Sequence, residues 1–356
     1  MILESIDLIN FRNYKELSLS FKKGINYIFG NNGSGKTNIV EAINFLSYGR
    51  SFRTNTVLDL IKINENHLLV KGTIKNSNKT NKVSIYLDKD GKKINIDNSK
   101  VFKISELLKY FNTIVFTPND VNLMKESPNE RRYFLNLLIS RLNNEYRNVL
   151  SNYEKILKSR NDELKKENID INLIKALTYQ LIDYSYVIYN YRKKYIDKLN
   201  ELISLTYEKI NNKTKDIKII YKPFIDNLEN YKKEALKLYN LSYKEDLNKK
   251  ITTKGVHKED FNIEVDNKDI SKFGSQGENR MVILALKLST YYLKNDSDSK
   301  PVVILDDVLS ELDKNHEQLL IKCLNEFEQV FITGTGNINL SNTYEVKDNQ
   351  VILSED

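Results

Sequence analysis

Residues 25–37, which read INYIFGNNGSGKT, decide the fold of this 356-residue chain. Ile25, Tyr27 and Phe29 belong to a short, mostly apolar run that is typical of a β-strand. The next eight residues fit the phosphate-binding pattern G-x-x-x-x-G-K-T. Residues 38–46 (NIVEAINFL) then carry apolar side chains at helical spacing. This order predicts a P-loop nucleotide site, and a glycine-rich turn that binds nothing is the disfavoured alternative.

Each residue type in the predicted loop has a chemical task. The glycines allow backbone N–H groups to approach a polyphosphate without a Cβ in the way. The helix that starts near Lys36 offers unpaired N–H groups and the positive end of its dipole. Lys36 supplies a charge for the β- and γ-phosphates, and Thr37 supplies a hydroxyl for Mg²⁺. We therefore predict ATP and Mg²⁺ as ligands. The predicted ATP-binding residues are Gly30, Asn31, Asn32, Gly33, Ser34, Gly35, Lys36 and Thr37.

Composition restricts the class of protein. The chain has 55 Lys and Arg against 48 Asp and Glu, a net charge of +7 that suits an acidic partner such as nucleic acid without requiring one. The single cysteine, Cys323, favours a reducing cytoplasm. No run approaches the ~20 apolar residues that span a bilayer, and residues 1–10 do not resemble a signal peptide. We expect a cytoplasmic protein with no membrane partner.

The chain divides by pattern into three regions: an α/β part over residues 1–116, a helical insertion over 117–250, and a second α/β part over 251–356. Short strands are predicted at residues 2–10, 16–21, 68–75, 82–88, 93–97 and 113–116. In the insertion, Thr117 and Ser127 begin capping boxes. A run free of Gly and Pro from residue 171 to about 210 predicts one helix of ~60 Å. We interpret its tyrosine-rich stripe as core.

Two acidic residues follow the continuous apolar run PVVIL at residues 301–305. Such a run is typical of a buried parallel strand. In a chain with a P-loop, Asp306 is predicted to hold Mg²⁺ together with Thr37, and Asp307 to polarise the attacking water. With Lys36 these form the predicted catalytic set, and a loop that merely begins with two acids is the alternative.

A second candidate anion site lies at Ser275, Gln276, Gly277 and Glu278, immediately before a helix that is apolar on most sides. Basic candidates lie elsewhere. Arg50 and Arg53 follow the P-loop helix and could face a phosphate of nucleotide or DNA, although an ordinary solvated loop fits them equally well. Arg131 and Arg132 begin the first long predicted helix.

These motifs, in this order, resemble the RecF family of bacterial recombination mediators, whose ABC-type ATPase head is shared with chromosome-maintenance proteins. The resemblance covers the whole chain. It is carried by NFRNY (10–14), GNNGSGKTN and EAI (30–43), GRSFRT (49–54), SPNERRYFLN (127–136), SQGE (275–278), LDDVLSELD (305–313) and FITGT (331–335).

The resemblance implies an α/β ABC-type P-loop head with an inserted helical arm, and ATP held between two copies of the chain. The P-loop of one copy would grip the phosphates, and the Ser275 signature of the other would close over the γ-phosphate. The implied positions also include Asp313 at the dimer seam and a γ-phosphate sensor at residues 333–335, with Thr333 and Thr335. ATP-loaded dimers would clamp duplex DNA near junctions with single strands, and slow, DNA-stimulated hydrolysis would release it.

The family acts with RecR and RecO to help RecA load at gaps during replication and the repair of DNA damage, so these partners come with the resemblance. DNA contacts are expected to be phosphate-directed. The candidate residues for them are Arg50, Arg53, Arg131, Arg132 and Lys258.

The sequence departs from the family pattern at two places. Residues 255–260 read GVHKED where the family usually has GPHRDD, so Lys258 keeps the charge but lacks the planar fork of arginine. Glu278 stands where the signature usually has glutamine. Two other classes remain open: an ATPase subunit of a membrane transporter, and a P-loop small-molecule kinase, which would leave residues 275–278 and 310–313 without a task.

Overall fold

The computed structural model describes residues 1–76, 79–102, 106–294, 300–336, 338 and 340–354. The chain forms two compact units. The first unit comprises Met1–Val121, Thr206–Lys213 and Met281–Asp356, and the second comprises Asn122–Leu205 and Thr214–Arg280. The second unit therefore extends about thirty residues past the insertion boundary that we expected at residue 250.

Strands and helices are numbered in chain order. The strands are β1 (Ile2–Phe11), β2 (Tyr14–Ser20), β3 (Gly24–Phe29), β4 (His67–Asn76), β5 (Lys79–Asp88), β6 (Gly91–Ile96), β7 (Ser99–Val101), β8 (Thr113–Phe116), β9 (Ile217–Lys222), β10 (Asp260–Val265), β11 (Lys268–Asp269), β12 (Val302–Leu305), β13 (Gln329–Gly334), β14 (Thr343–Lys347) and β15 (Gln350–Ser354). The helices are α1 (Lys36–Tyr48), α2 (Leu107–Tyr110), α3 (Pro128–Leu142), α4 (Asn144–Glu163), α5 (Ile171–Asn211), α6 (Tyr231–Lys249), α7 (Ile270–Phe273), α8 (Gln276–Ser289) and α9 (Lys314–Leu324).

A six-stranded, mainly parallel sheet carries the P-loop, in the order β15-β14-β3-β13-β12-β8. The five strands from β14 to β8 run parallel to their neighbours, and only β15 is antiparallel. The prediction of a buried parallel strand before Asp306 is confirmed, because every residue of β12 is buried. Since parallel strands end at one edge of a sheet, the loops after β3, β13 and β12 lie side by side.

A second six-stranded sheet in the first unit is antiparallel throughout, in the order β2-β1-β4-β5-β6-β7. It confirms the predicted N-terminal hairpin and the meander. Residues of both sheets and of α1 share one hydrophobic core. A Cβ on Gly72 of β4 would lie 2.2 Å from Cδ2 of Leu46 in α1, so glycine permits this close packing.

The second unit combines helices with a three-stranded antiparallel sheet, β11-β10-β9. The helical prediction for residues 117–250 is wrong at β9, which pairs with β10 over its whole length. Ile217 and Ile219 are buried and alternate with polar Lys218, which is the period of a strand. The pairing with β10 also explains why residues 251–280 belong to this unit.

The predicted long helix is confirmed as α5, which has 41 residues. The capping predictions are confirmed only in part. Ser127 is the N-cap of α3, but its side chain makes no capping hydrogen bond. Asp120 accepts hydrogen bonds from the backbone N–H and hydroxyl of Thr117, yet the turn that follows is a 3₁₀ helix, Pro118–Asn122. The prediction that the tyrosines are core is confirmed only in part. Tyr146 and Tyr153 of α4 and Tyr189 of α5 are fully buried, whereas Tyr191 and Tyr195 of α5 are half-buried.

A buried ion pair joins α4 to α6. Arg160 donates to Asp246 at 2.8 Å, and both side chains are at most 1% exposed. Arg160 also donates to the hydroxyls of Thr178 and Thr252, at 3.0 and 2.7 Å. The guanidinium is therefore satisfied on several sides, which a buried charge requires.

Replacing Arg160 by alanine is expected to lower the free energy of unfolding by about 3–5 kcal/mol, because Asp246 is left buried without its counter-charge. Urea unfolding measures this. The matched control is Lys249→Ala, whose pair with Glu245 lies at the surface of α6, and it should leave the midpoint unchanged. Equal effects of the two substitutions would contradict the prediction.

Candidate nucleotide site

The glycines of the P-loop are required by backbone geometry. Gly30 and Gly35 have φ angles of 152° and 108°. A Cβ on Gly30 would lie 2.3 Å from the carbonyl oxygen of Val346, and one on Gly35 would lie 2.6 Å from both Asn13 and Tyr14. The loop thus takes a conformation that L side chains avoid, in a space that a side chain would fill.

Lys36 begins α1 and folds back over the loop. Its Nζ donates to the carbonyl oxygens of Gly30 and Asn31, both at 2.8 Å. Burial lowers the pKa of Lys36, against the opposing charges of Asp307 and Asp306. The N-cap of α1 is Gly35, which has no capping side chain, so the first N–H groups of the helix are left for an anion.

One oxygen of Asp306 joins three elements of the first unit. Oδ1 of Asp306 accepts from the hydroxyl of Thr37 at 2.9 Å and from that of Thr333 at 2.7 Å. Asp306 is only 7% exposed. Burial raises its pKa, while the two hydroxyl hydrogen bonds act in the opposite direction. The predicted Mg²⁺ position and the predicted sensor Thr333 therefore lie together at the start of α1.

Asp307 combines an unusual backbone angle with a buried side-chain oxygen, a combination that is common at functional sites. Its φ of 52° is unusual for a residue with a side chain. Its backbone N–H donates to Thr333 at 2.9 Å. Oδ1 of Asp307 is buried without a hydrogen-bond partner among the described residues. Because such an atom is costly to leave unsatisfied, a bound water is the natural partner, and the oxygens of Thr37 and Asp306 are of the type that Mg²⁺ prefers.

The Ser275 loop, in the second unit, is a rigid turn with an exposed edge. Oγ of Ser275 accepts from the backbone N–H of Glu278 at 3.1 Å. The side chain of Asn279, which is 1% exposed, donates to the carbonyl oxygens of Ile270, Gly274 and Ser275. The sequence gives little indication of this role for Asn279, which is marked only as a polar residue at the start of an otherwise apolar helix. Ser275, Gln276 and Gly277 themselves are exposed.

The remaining predicted positions lie at surface turns of the first unit. Asp313 is the N-cap of α9, and its Oδ1 accepts from the backbone N–H of His316 at 2.9 Å. Thr335 lies in an exposed bend just after β13, whereas Thr333 is buried within that strand. The structure thus places Thr333, but not Thr335, in the cluster around Asp306.

A buried acid next to the P-loop was not predicted. Glu41 of α1 is fully buried and accepts a two-point ion pair from Arg12, at 2.8 and 2.9 Å. It also accepts from Arg53 at 3.4 Å. Arg53 donates in addition to Asn38 at 2.9 Å, and its charge opposes the burial that raises the pKa of Asp306. Arg50 is exposed, with its guanidinium 5.8 Å from the ring of Tyr48.

The candidate DNA-contacting residues of the second unit differ in burial and in the partners they already have. Arg131 is 9% exposed and makes a two-point ion pair with Asp260, at 2.7 and 2.8 Å. These contacts favour a structural role for Arg131 over contact with DNA. Arg132 donates to the carbonyl oxygen of Glu259 at 2.6 Å, and Lys258 is exposed. The segments SPNERR and GVHKED therefore pair with each other.

Together, the parallel sheet, the P-loop and the buried acid that follows β12 define an ABC-type P-loop ATPase head with an inserted domain. A family model described as "RecF/RecN/SMC N terminal domain" matches residues 2–350. The DNA replication and repair protein RecF of Clostridium botulinum (strain Loch Maree / Type A3) is 38% identical over 99% of this chain and 98% of its own. That of Clostridioides difficile (strain 630) is 38% identical over 94% of this chain and 91% of its own. The chain belongs to the RecF family.

Comparison with solved structures supports the same family. The chain is similar to a structure described as the recombination mediator protein RecF–ATP in the RecFOR pathway, with a TM-score of 0.91, 32% identity, and coverage of 99% of this chain and 97% of that one. An Smc head domain from Pyrococcus furiosus shares the fold, with a TM-score of 0.58 and 18% identity over 99% of this chain and 95% of that one. The transporter and kinase alternatives find no support. None of the described helices is long and apolar enough to cross a membrane.

Asp306→Asn is expected to stabilise the nucleotide-free protein at pH 7 and to remove its stabilisation by ATP and Mg²⁺. Because burial raises the pKa of Asp306, folding favours the protonated form. The stability that this group contributes is full below its unfolded-state pKa and is lost as pH rises through the folded-state pKa. A neutral amide therefore removes a penalty, but it is a poorer ligand for Mg²⁺.

Thermal unfolding with and without MgATP at pH 7 measures both effects. Asp266→Asn is the control, because Asp266 is exposed and its ion pair with Lys215 lowers its pKa. This control should not raise the melting temperature and should keep the shift with nucleotide. A lower melting temperature of nucleotide-free Asp306→Asn, or an unchanged shift with MgATP, would argue against the assigned role.

Proposed function

We propose that this chain is an ATP- and Mg²⁺-dependent DNA-binding protein of recombinational repair and replication, in which ATP drives dimerisation and slow hydrolysis reverses it. The observation that carries the proposal is the cluster at Asp306: a P-loop threonine and a β13 threonine share one buried carboxylate oxygen, beside an unsatisfied oxygen of Asp307. Membership of the RecF family supports the DNA-directed part of the proposal.

The residues of the site have separate tasks. When nucleotide binds, Nζ of Lys36 replaces its hydrogen bonds to the loop carbonyl oxygens with hydrogen bonds to phosphate oxygens. The N–H groups at the start of α1 bind the same phosphates. Thr37 and Asp306 would hold Mg²⁺, which supplies charge neutralisation at the phosphates. Asp307 accepts a hydrogen bond from the attacking water through Oδ1 and so orients it. Thr333 holds both Asp306 and the backbone of Asp307 in register.

The second copy of the chain would complete the site through its Ser275 loop. That loop is exposed, and the side chain of Asn279 donates a hydrogen bond to the carbonyl oxygen of Ser275. The loop precedes a helix whose first N–H groups favour an anion. A γ-phosphate that contacts both copies exists only before hydrolysis, which gives the differential affinity that a two-state switch requires. Asp313 would contribute to the same seam.

DNA would be bound through phosphate contacts, with RecR and RecO as protein partners, since the related structure is described as part of the RecFOR pathway. Lys258 is exposed. Burial lowers the pKa of His257 to about 4, and the neighbouring charges of Lys258 and Arg132 act in the same direction. Arg50 and Arg53 are the candidates in the first unit.

Dimerisation tests the proposal. Light scattering should show that MgATP converts monomer to dimer, that Lys36→Met abolishes this by removing phosphate binding, and that Ser275→Arg keeps nucleotide binding but blocks the dimer. Mixing the two variants is the sharper test. In a mixed dimer, both lesions fall in one composite site and the other site is intact, so dimers and hydrolysis should reappear.

The matched control is Ser18→Arg, which places the same bulk and charge on an exposed position of β2 and should dimerise normally. Normal dimers of Ser275→Arg, or no complementation in the mixture, would contradict the two-copy site. Failure of the unmodified protein to dimerise with MgATP would contradict the ATP switch as a whole.

Lys258→Ala is expected to weaken DNA binding equally for different sequences and to reduce the salt slope of the binding constant by about 1, as loss of one phosphate contact does. Binding to gapped duplexes at several salt concentrations measures this. Lys249→Ala, which removes an exposed lysine of α6 that is paired with Glu245, is the control. An unchanged slope in Lys258→Ala would exclude this contact.

A further inference from the structure

His316, in the first turn of α9, bridges two segments that are far apart in sequence. Its Nδ1 lies 2.6 Å from Oδ2 of Asp313, and its Nε2 lies 2.8 Å from Oδ1 of Asn211. The backbone N–H of His316 donates a hydrogen bond to the other carboxylate oxygen of Asp313, Oδ1, at 2.9 Å. One residue therefore fixes both oxygens of Asp313, while 64% of that side chain stays exposed.

Asn211 is the last residue of α5, and Thr206, in the same end of α5, contacts α8. Ser289, the last residue of α8, donates to the hydroxyl of Thr206 at 3.0 Å. Ser289 and Thr206 are buried, at 0% and 2% exposure. The segment from Thr206 to Asn211 is little more than one helical turn. It thus joins the end of the helix that follows the Ser275 loop to the side chain that fixes Asp313.

We infer that His316 is a positioning residue for the ATP-driven dimer: within the first unit it fixes the side chain of Asp313 and, through the Asn211 end of α5, connects it to the C-terminal end of α8. This inference rests on the proposed function. Each carboxylate oxygen has a second lone pair, so Asp313 can accept from a partner copy while His316 holds it. A free Asp313 would have to lose its rotamer freedom on dimerisation, which weakens association.

The chemistry of the bridge defines the variants. The carboxylate of Asp313 requires a donor from the imidazole, whereas the side-chain amide of Asn211 can either accept from or donate to the other ring nitrogen. Arginine offers donors in several directions and can serve both oxygens, whereas leucine serves neither. Glutamine keeps one donor group and is the intermediate variant. Gln318→Leu alters an exposed residue of the same helix and is the matched control.

The experiment measures the dimer dissociation constant of the full chain in MgATP, together with nucleotide binding by the monomer. His316→Leu should weaken dimerisation by about tenfold, the value of one strong hydrogen bond. Nucleotide binding should not change, and Gln318→Leu should match the unmodified protein. His316→Arg should restore the dimer, which a merely space-filling role of histidine would not predict. If His316→Leu fails to fold, the comparison of His316→Gln with His316→Arg gives the same answer.

A double-mutant cycle tests the coupling. Asn211→Ala should weaken dimerisation in the unmodified background but add little to His316→Leu, because both break the same bridge. Full additivity, or wild-type dimerisation of His316→Leu, would overturn the inference while leaving the proposed function intact. If the unmodified protein itself does not dimerise, the proposed function fails, and this inference fails with it.

Discussion

The site depends on one buried oxygen, Oδ1 of Asp306, which two hydroxyls from α1 and β13 share. Burial makes the ionised form of this carboxylate unfavourable, and the raised pKa of Asp306 expresses that cost. The three elements that meet there are not tied by this carboxylate alone, because α1 and the parallel strands are anchored by the hydrophobic core beneath them. Stability supplied by the core thus permits a carboxylate to be buried where its ionised form is unfavourable. Such arrangements are common at functional sites.

Helix α1 transmits that support to the P-loop. The helix is apolar on the sides that face both sheets, and it packs so closely against β4 at Gly72 that a Cβ there would lie 2.2 Å from Leu46. Its one fully buried charge, Glu41, is neutralised by Arg12 and reached by Arg53. The start of α1 is therefore held both by apolar packing and by this ion pair. Arg53, which is half exposed, contacts both Glu41 and Asn38.

The sequence predicted the parts of the molecule whose signals are local. The P-loop, the buried strand before Asp306 and the long helix α5 each rest on a contiguous pattern. The missed contacts depend on partners distant in the chain: Arg131 and Asp260 are separated by 129 positions, and Arg12 and Glu41 by 29. Nothing near Arg131 signals that an acid will neutralise it, so its charge suggested DNA. Strand β9 was missed for another reason. Its alternation over six residues is short and lies between long helical patterns, which dominated the interpretation.

The second unit explains why GVHKED can depart from the usual pattern. Its two acids are held inside: Asp260 pairs with Arg131, and Glu259 with the buried Arg192. Buried ion pairs add little net stability compared with apolar packing, but breaking one leaves a lone charge, so they specify which segments meet. Position 258 carries no such constraint, because Lys258 is exposed. A change from arginine to lysine there alters how a surface charge can contact a phosphate and leaves the internal register untouched. The carboxylates at positions 259 and 260 therefore fix how this segment pairs with the rest of the second unit, and position 258 can vary at its surface.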